Sequence, residues 1–367
     1  MRIAFALIAH YPADERVYSQ LAATLKQAGN TIFILSALTD ACDLPDTQCF
    51  DSTGMSKKAL IRRLQDCLAN CQPDVVICDN PIAILAAQSY KSRHKTARII
   101  YDVTEWYPSK KNLRTLSFGK KMAKALVLSA LSVYAGRLTD AFIFGEYYKA
   151  RPFRFLFFWK KYSYLSYYAD IHRIESHPPQ DIRKECRLFY SGASTKEKGL
   201  DSVWNVSRRI AGKHPEIQFT LTVVTGTPDD APGPFDIPQN LRIQRKTLLP
   251  FPDFCKEIGQ HDLFFDLRVN DFENTRSLPI KLFYYMACSR PLIYSDLKSI
   301  RREVPEMEQM GYLVNPNDWD AVCECVSNYL SDDDLYKSHC AMAGKAALEK
   351  YNWDNIKGGL IQLIAKL

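Results

Sequence analysis

Short, mostly apolar runs recur along this chain, alternating with segments whose apolar residues fall at helical spacing. Ile3–Ala9, Thr31–Leu35, Val75–Cys78, Ala97–Tyr101 and Asp140–Phe144 are runs of this kind. After the first, Val17, Leu21, Leu25 and Ala28 keep a helical period, with Asp14 placed to cap that helix and Gly29 to stop it. A second helix is expected around Lys58–Asn70. Strands apolar throughout must be covered on both faces, which is the condition of a parallel sheet flanked by helices. The pattern lapses over 169–183, a polar stretch holding Pro178-Pro179, and this reads as a linker. It then restarts, with strands expected at Arg187–Tyr190, Phe219–Val224, Leu241–Arg245, Leu263–Asp266, Leu292–Tyr294 and Tyr312–Val314. A helix is expected over Leu200–Ala211, and further helices from about Asp318 onward. Two doubly wound α/β units follow from this, with boundaries expected at 1–170 and 171–350 and a terminal helix over 351–367. Ligands of such sheets sit beyond the carboxyl ends of the strands, and the cleft between the units is the expected site.

Composition narrows the setting. With 367 residues, 47% hydrophobic and 24% charged, the chain can bury two cores. Its 11 cysteines lack metal-ligand spacing and read as reduced thiols of a cytosolic protein. The N-terminus reads as a first strand rather than a signal peptide, and no apolar run approaches the ~18 residues of a membrane span. Net charge is only +7, but the cations are concentrated. Lys110, Lys111, Arg114, Lys120, Lys121 and Lys124 lead into an apolar helix, and Lys149, Arg151, Arg154, Lys160 and Lys161 alternate with aromatics that include Trp159. That mixture suits an anionic membrane surface, with Lys120, Lys121, Lys160, Lys161 and Trp159 as contacts. It also suits base stacking on single-stranded nucleic acid, or a helix whose aromatics enter the core while its cations stay solvated. The absence of any nucleic-acid module pattern favours the membrane, as a cytoplasmic, peripheral protein on the inner face, with no nucleic-acid partner.

Four motifs lie at expected strand exits or helix starts. His10, Asp14 and Arg16 lie in HYPADERV at the first βα turn, where they face substrate or else cap the helix and pair at the surface. YDVTEWYP places Thr104 and Glu105 after a strand, where Glu105 can meet a polyol hydroxyl or stand as a loop acid. YSGASTKEKGLDSV runs strand, Gly192, polar loop, Lys198-Gly199, helix. A tight glycine turn, free N–H groups at a helix start and a lysine suit a diphosphate, or else the stretch is a solvated loop with a lysine. It is neither a dinucleotide fingerprint nor a P-loop. In SLPIKLFYYM, Ser277 is placed to cap a helix, Leu278 and Pro279 to open it and Lys281 to lie in its first turn, aimed at the same anion.

In order and spacing these pieces resemble the GT-B-fold glycosyltransferases of family 4, retaining enzymes that use nucleotide sugars. The resemblance runs through His10-x-Pro12-x-Asp14-x-Arg16-Val17, Pro73-Asp74-Val75-Val76, Tyr101–Glu105, Gly192–Gly199, Leu278-Pro279-x-Lys281 with Arg290-Pro291, Gly311–Val314 with Pro316, and Tyr351-Asn352-Trp353. It implies two facing Rossmann-like domains, the first for the acceptor and the second for the nucleotide sugar, with a terminal helix crossing back to the first. It implies a UDP- or GDP-linked donor, no cofactor and no metal. Lys198 and the Ser277–Lys281 turn would stabilise the departing diphosphate. Three departures accompany it. Thr104 stands where the family has His, Ala193 stands at a frequent Arg, and Arg276 and Tyr284 stand at the paired glutamates. Tyr284 is then expected to take over a ribose contact.

The expected function is retaining transfer of a sugar to an oligosaccharide or polysaccharide acceptor, lipid-linked at the membrane face. Glu105 and Lys198 are its candidate catalytic residues. The alternative is a catalytically silent GT-B module that binds a glycan or a partner enzyme. A sugar-nucleotide epimerase would need acid/base residues that the sequence does not place.

Overall fold

The computed structural model describes residues 1–39, 44–45, 47–105, 108–113, 116–226 and 236–367, so Trp106, Tyr107 and Arg114 of the motifs above lie outside the described residues. The chain divides into two units, Met1–Tyr167 with Asp354–Leu367, and Tyr168–Trp353. The first unit holds a sheet of β1 (Arg2–Leu7), β2 (Thr31–Ser36), β3 (Thr47–Cys49), β4 (Val75–Cys78), β5 (Arg98–Val103), β6 (Ala141–Phe144) and β7 (Lys161–Tyr164), in the order β3-β2-β1-β4-β5-β6-β7. The second holds β8 (Glu185–Ser191), β9 (Gln218–Thr225), β10 (Leu241–Thr247), β11 (Leu263–Asp266), β12 (Leu292–Ser295) and β13 (Gly311–Val314), in the order β10-β9-β8-β11-β12-β13. Every pairing in both sheets is parallel. Each is a doubly wound Rossmann-like sheet, as the apolar runs require. The strand order reverses beside β1 and β4 in one sheet and beside β8 and β11 in the other. Those two switch points are where such sheets bind ligands.

Local chemistry sets the element ends. Ser56 caps the helix Lys57–Cys71 by accepting from Ala59 N, and Asn80 caps Pro81–Arg93 by accepting from Ile82 N, with proline in the first turn. The edge strands β3 and β7 have no apolar run to announce them. β7 comes from the basic-aromatic stretch, and its half-polar sequence suits an edge. β1 stops at Leu7, short of the expected Ala9, because Asp79 captures the next backbone groups. Its carboxylate accepts from the N–H of Ile8 at 3.0 Å, Ala9 at 2.8 Å and His10 at 3.2 Å.

Two expected surface residues are structural instead. Arg16 was expected to face substrate. It is buried, its guanidinium donating to Asp102 at 3.0 and 2.9 Å and to the Leu165 carbonyl at 2.8 Å, against the Tyr167 ring. Lys160 was expected to meet a membrane. Its ammonium instead donates to the carbonyls of Gly136 at 2.8 Å and Arg137 at 2.7 Å, and to that of Thr139. It closes the C-terminus of the helix Phe118–Leu138, where unpaired carbonyls gather. Burial there lowers its pKa to about 8, against the raising effect of Asp140.

Removing one partner of a buried ion pair strands the other charge. Arg16→Ala should therefore lower unfolding free energy by about 3–5 kcal/mol in urea titrations. Arg16→Met with Asp102→Leu should recover most of that. A loss below about 1 kcal/mol for the single variant would remove the pair from the framework.

Candidate functional site

At the switch point of the second sheet, the chain leaves β8 through Ser191, Gly192 and Ala193 and turns at Lys196–Lys198 into the helix Leu200–Lys213. Tyr190 holds this loop from beneath, its hydroxyl 3.1 Å from the Ala193 carbonyl and 3.2 Å from that of Lys198. Gly199 makes the turn with φ +81°, and a Cβ there would stand 2.0 Å from the Leu267 carbonyl oxygen. Only glycine allows this conformation together with this approach. The loop is thereby pinned to the exit of β11, where Val269 N donates to the Glu197 carbonyl at 3.2 Å.

A cavity of about 270 Å³ opens over this junction, lined by the loop, by Asp266 at the end of β11 and Arg268 just beyond it, and by Leu278–Lys281. Three cations reach it. Lys198 Nζ lies 3.4 Å from Asn274 Oδ1, and Lys281 Nζ donates to the Ser191 carbonyl at 2.6 Å. Arg268 is held by Asp266, its Nε donating at 2.6 Å and a second guanidinium nitrogen bonding the other oxygen. Burial lowers the pKa of Lys281 to about 8, with Asp266 opposing and Arg268 and Lys198 adding to the drop. Lys198 is also lowered, by burial first and then by Arg268. Arg268 stays charged, because Asp266 outweighs the cost of burial. Three cations crowded around one carboxylate leave excess positive charge in a partly dry pocket, which suits a polyvalent anion such as a diphosphate.

Gly192, Lys198, Leu278, Pro279 and Lys281 therefore meet at one cavity. Ser277 and Tyr284 do not line it. Ser277 does not cap the next helix as expected. It ends the short turn Asn274–Arg276, and its carbonyl accepts from Ser299 at 3.0 Å, while the helix Lys281–Ala287 starts after Ile280 without a side-chain cap. Tyr284 is buried with its ring against Phe251 and Phe254. Asp266, Arg268 and Asn274 went unremarked in the sequence, although Asp266-Leu267-Arg268 at a strand exit was a usable signal.

The switch point of the first sheet holds His10. Its Nδ1 lies 2.9 Å from Asp79 Oδ2, and burial is more than offset by the hydrogen bond and charge of Asp79, so its pKa rises to about 9. Asp14 caps the first helical turn, accepting from Val17 N at 3.3 Å. Thr104 is buried with its hydroxyl unbonded, and its carbonyl accepts from Lys149 at 2.5 Å. Glu105 is exposed. Among the described residues no group of three metal-ligating side chains is gathered.

Residues 185–332, within the second unit, match the family model described as Glycosyl transferases group 1. No curated protein matches the chain in sequence. Among solved structures, sucrose-phosphate synthase from Thermosynechococcus elongatus matches with TM-score 0.72 at 13% identity, covering 100% of this chain and 98% of that one. Anabaena HepE, in complex with UDP-glucose, matches with TM-score 0.71 at 12% identity and full coverage of both chains. A trehalose-6-phosphate synthase studied for glycosyl transfer with retention matches at TM-score 0.70 and 12% identity, covering 100% and 99%. These likenesses establish the fold as GT-B.

Gly199→Ala would force a side chain into the left-handed region and onto a backbone carbonyl. It should cost about 1–3 kcal/mol from the conformation alone and weaken binding of inorganic pyrophosphate in calorimetry. Unchanged stability and pyrophosphate affinity would show that the loop does not need this approach.

Proposed function

We propose that the protein is a glycosyltransferase that moves a sugar from a UDP- or GDP-linked donor to a glycan acceptor with retention. The observation that carries this is the Lys198–Arg268–Lys281 cavity at the β8/β11 switch point, inside the segment that matches the group 1 family model. The donor diphosphate lies in that cavity. As the bond from the anomeric carbon to the phosphate oxygen breaks, negative charge grows on the leaving diphosphate. Lys198 and Lys281 meet that charge with dipoles and ammonium groups already in place. The acceptor hydroxyl forms the new bond on the same face and passes its proton to a donor phosphate oxygen. The protein's own cations, rather than a cofactor or metal ion, neutralise the leaving group. The HepE complex with UDP-glucose supports uridine as the first base to try.

On this reading the acceptor is a lipid-linked oligosaccharide or growing polysaccharide, met on the cytoplasmic face of the cell membrane, with His10 and Glu105 on the acceptor side. His10, charged through its pairing with Asp79, suits an anionic group of the acceptor. The packing of Tyr284 among phenylalanines favours a second reading, a module that binds without turning over, since no acid stands there to hold a ribose.

Calorimetry with UDP, GDP and their sugar conjugates separates these. One nucleotide should bind at micromolar Kd without added metal, and its affinity should fall as pH rises through about 8, where Lys281 loses its proton. The sign follows from linkage: an anion favours the charged lysine, so binding is strongest below that pH. Lys281→Met should remove the pH dependence. Lys198→Ala should lower transfer by about 10²–10³-fold with the fold intact. Unchanged turnover in that variant would end the assigned role, and no binding of any of these nucleotides would favour the silent module that binds a glycan or a partner enzyme.

A further inference from the structure

The helix Phe118–Leu138 is apolar on both sides. Leu128, Ser132, Ala135 and Gly136 are buried beneath it, as a packed helix requires. Its outer side is also apolar, with exposures of 81% at Phe118, 60% at Met122, 73% at Leu126, 65% at Val127, 43% at Val133 and 53% at Tyr134. At about 100° per residue, Phe118, Met122, Leu126 and Val133 form one stripe, and Val127 and Tyr134 lie on its flank. The only charged residue in that arc is Arg137, in the last turn. Lys120 and Lys124 border it, both exposed. A helix apolar all round is normally enclosed, so this outer side is shaped for something besides water.

A second apolar group stands beside the end of that helix. Lys160 and the Phe157 ring hold the following turn against Gly136. From that turn Phe158 is 79% and Trp159 60% exposed, beside Phe155, 82% exposed, and exposed Arg151 and Arg154 in the preceding helix Tyr147–Leu156. Residues 109–161 carry twelve lysines and arginines against two acids, Asp140 and Glu146, a net +10 in a chain of net +7, so the rest of the chain is net negative.

We propose that this face docks on a lipid bilayer with anionic headgroups. The outer stripe of Phe118–Leu138 and the Phe158-Trp159 turn enter the headgroup boundary, and Lys120, Lys124, Arg151 and Arg154 meet the lipid phosphates. The charge decides between occupants. A second copy would bring the same net +10 segment against itself, while an anionic surface complements it. Aliphatic Met, Leu and Val at the centre suit acyl chains, not stacked bases. Lys160 takes no part, being committed to the helix end. The inference does not rest on the donor reading.

The test is co-sedimentation of the full chain with vesicles of phosphatidylcholine alone and of phosphatidylcholine mixed with phosphatidylglycerol. The mixed vesicles should bind it, the neutral ones weakly, and added salt should release it. Lys120→Ala with Lys124→Ala should lower partition about fivefold per charge. Met122→Glu with Leu126→Glu should lower it by at least about tenfold. Both positions are exposed, and circular dichroism with an unchanged thermal midpoint checks the fold without reference to the donor reading. No binding to mixed vesicles by the parent, or binding that both double variants leave unchanged, overturns the proposal. So does a dimer in light scattering that Leu126→Glu dissolves, which would give the face to a second copy.

Discussion

The backbone contact between Gly199 and Leu267 is the constraint from which the second unit's pocket follows. Two strands adjacent in the sheet but distant in sequence, β8 and β11, must send their exits into the same small space. A side chain at 199 would hold them apart. With hydrogen there, the loop after β8 rests on the backbone beyond β11, and Lys198, Arg268 and Lys281 come to one cavity. Burial first, and then repulsion from Arg268 and Lys198, lowers the pKa of Lys281. Asp266 offsets part of it through Arg268. The pocket is thus held in a state that an incoming anion relieves.

The first unit solves a similar problem with the opposite sign. At its switch point the buried charge is a carboxylate. Asp79 collects three backbone N–H groups and the His10 ring, and ends β1 in doing so. Asp102, at the end of β5, is met by Arg16. Charged groups therefore anchor the strand exits in both units, and in the second they line a net cationic cavity.

Much of this was legible in sequence, and the reason is physical. A strand buried on both faces must be largely apolar, so two parallel doubly wound sheets could be read from runs such as Val75–Cys78 and Leu263–Phe265, while GT-B came only from the resemblance of the motifs in order and spacing. The loop Gly192–Gly199 was legible because glycine and lysine at a strand-to-helix turn have few other uses. What could not be read was what faces a residue from a distant part of the chain. Arg16 looked like a surface cation until Asp102, 86 residues away, took it. Lys160 looked like a membrane contact, yet its partners are carbonyls that any sequence supplies. Ser277 precedes a proline as a cap would, but the helix begins later. β3 and β7, at sheet edges, need no apolar run and gave no signal.

The chain passes from the first unit to the second near Tyr167 and returns near Trp353, and the two passages are stitched together where Trp353 N donates to the Ala169 carbonyl at 3.0 Å. The helix Trp353–Ala365 belongs, from Asp354 on, to the unit that was begun first. During synthesis the ribosome therefore delivers the first unit in two instalments. The second unit is complete and able to fold before the final helix emerges. Until then the first unit keeps an unfinished surface. A chain stopped before Trp353 would carry an intact cationic pocket beside an unfinished first unit.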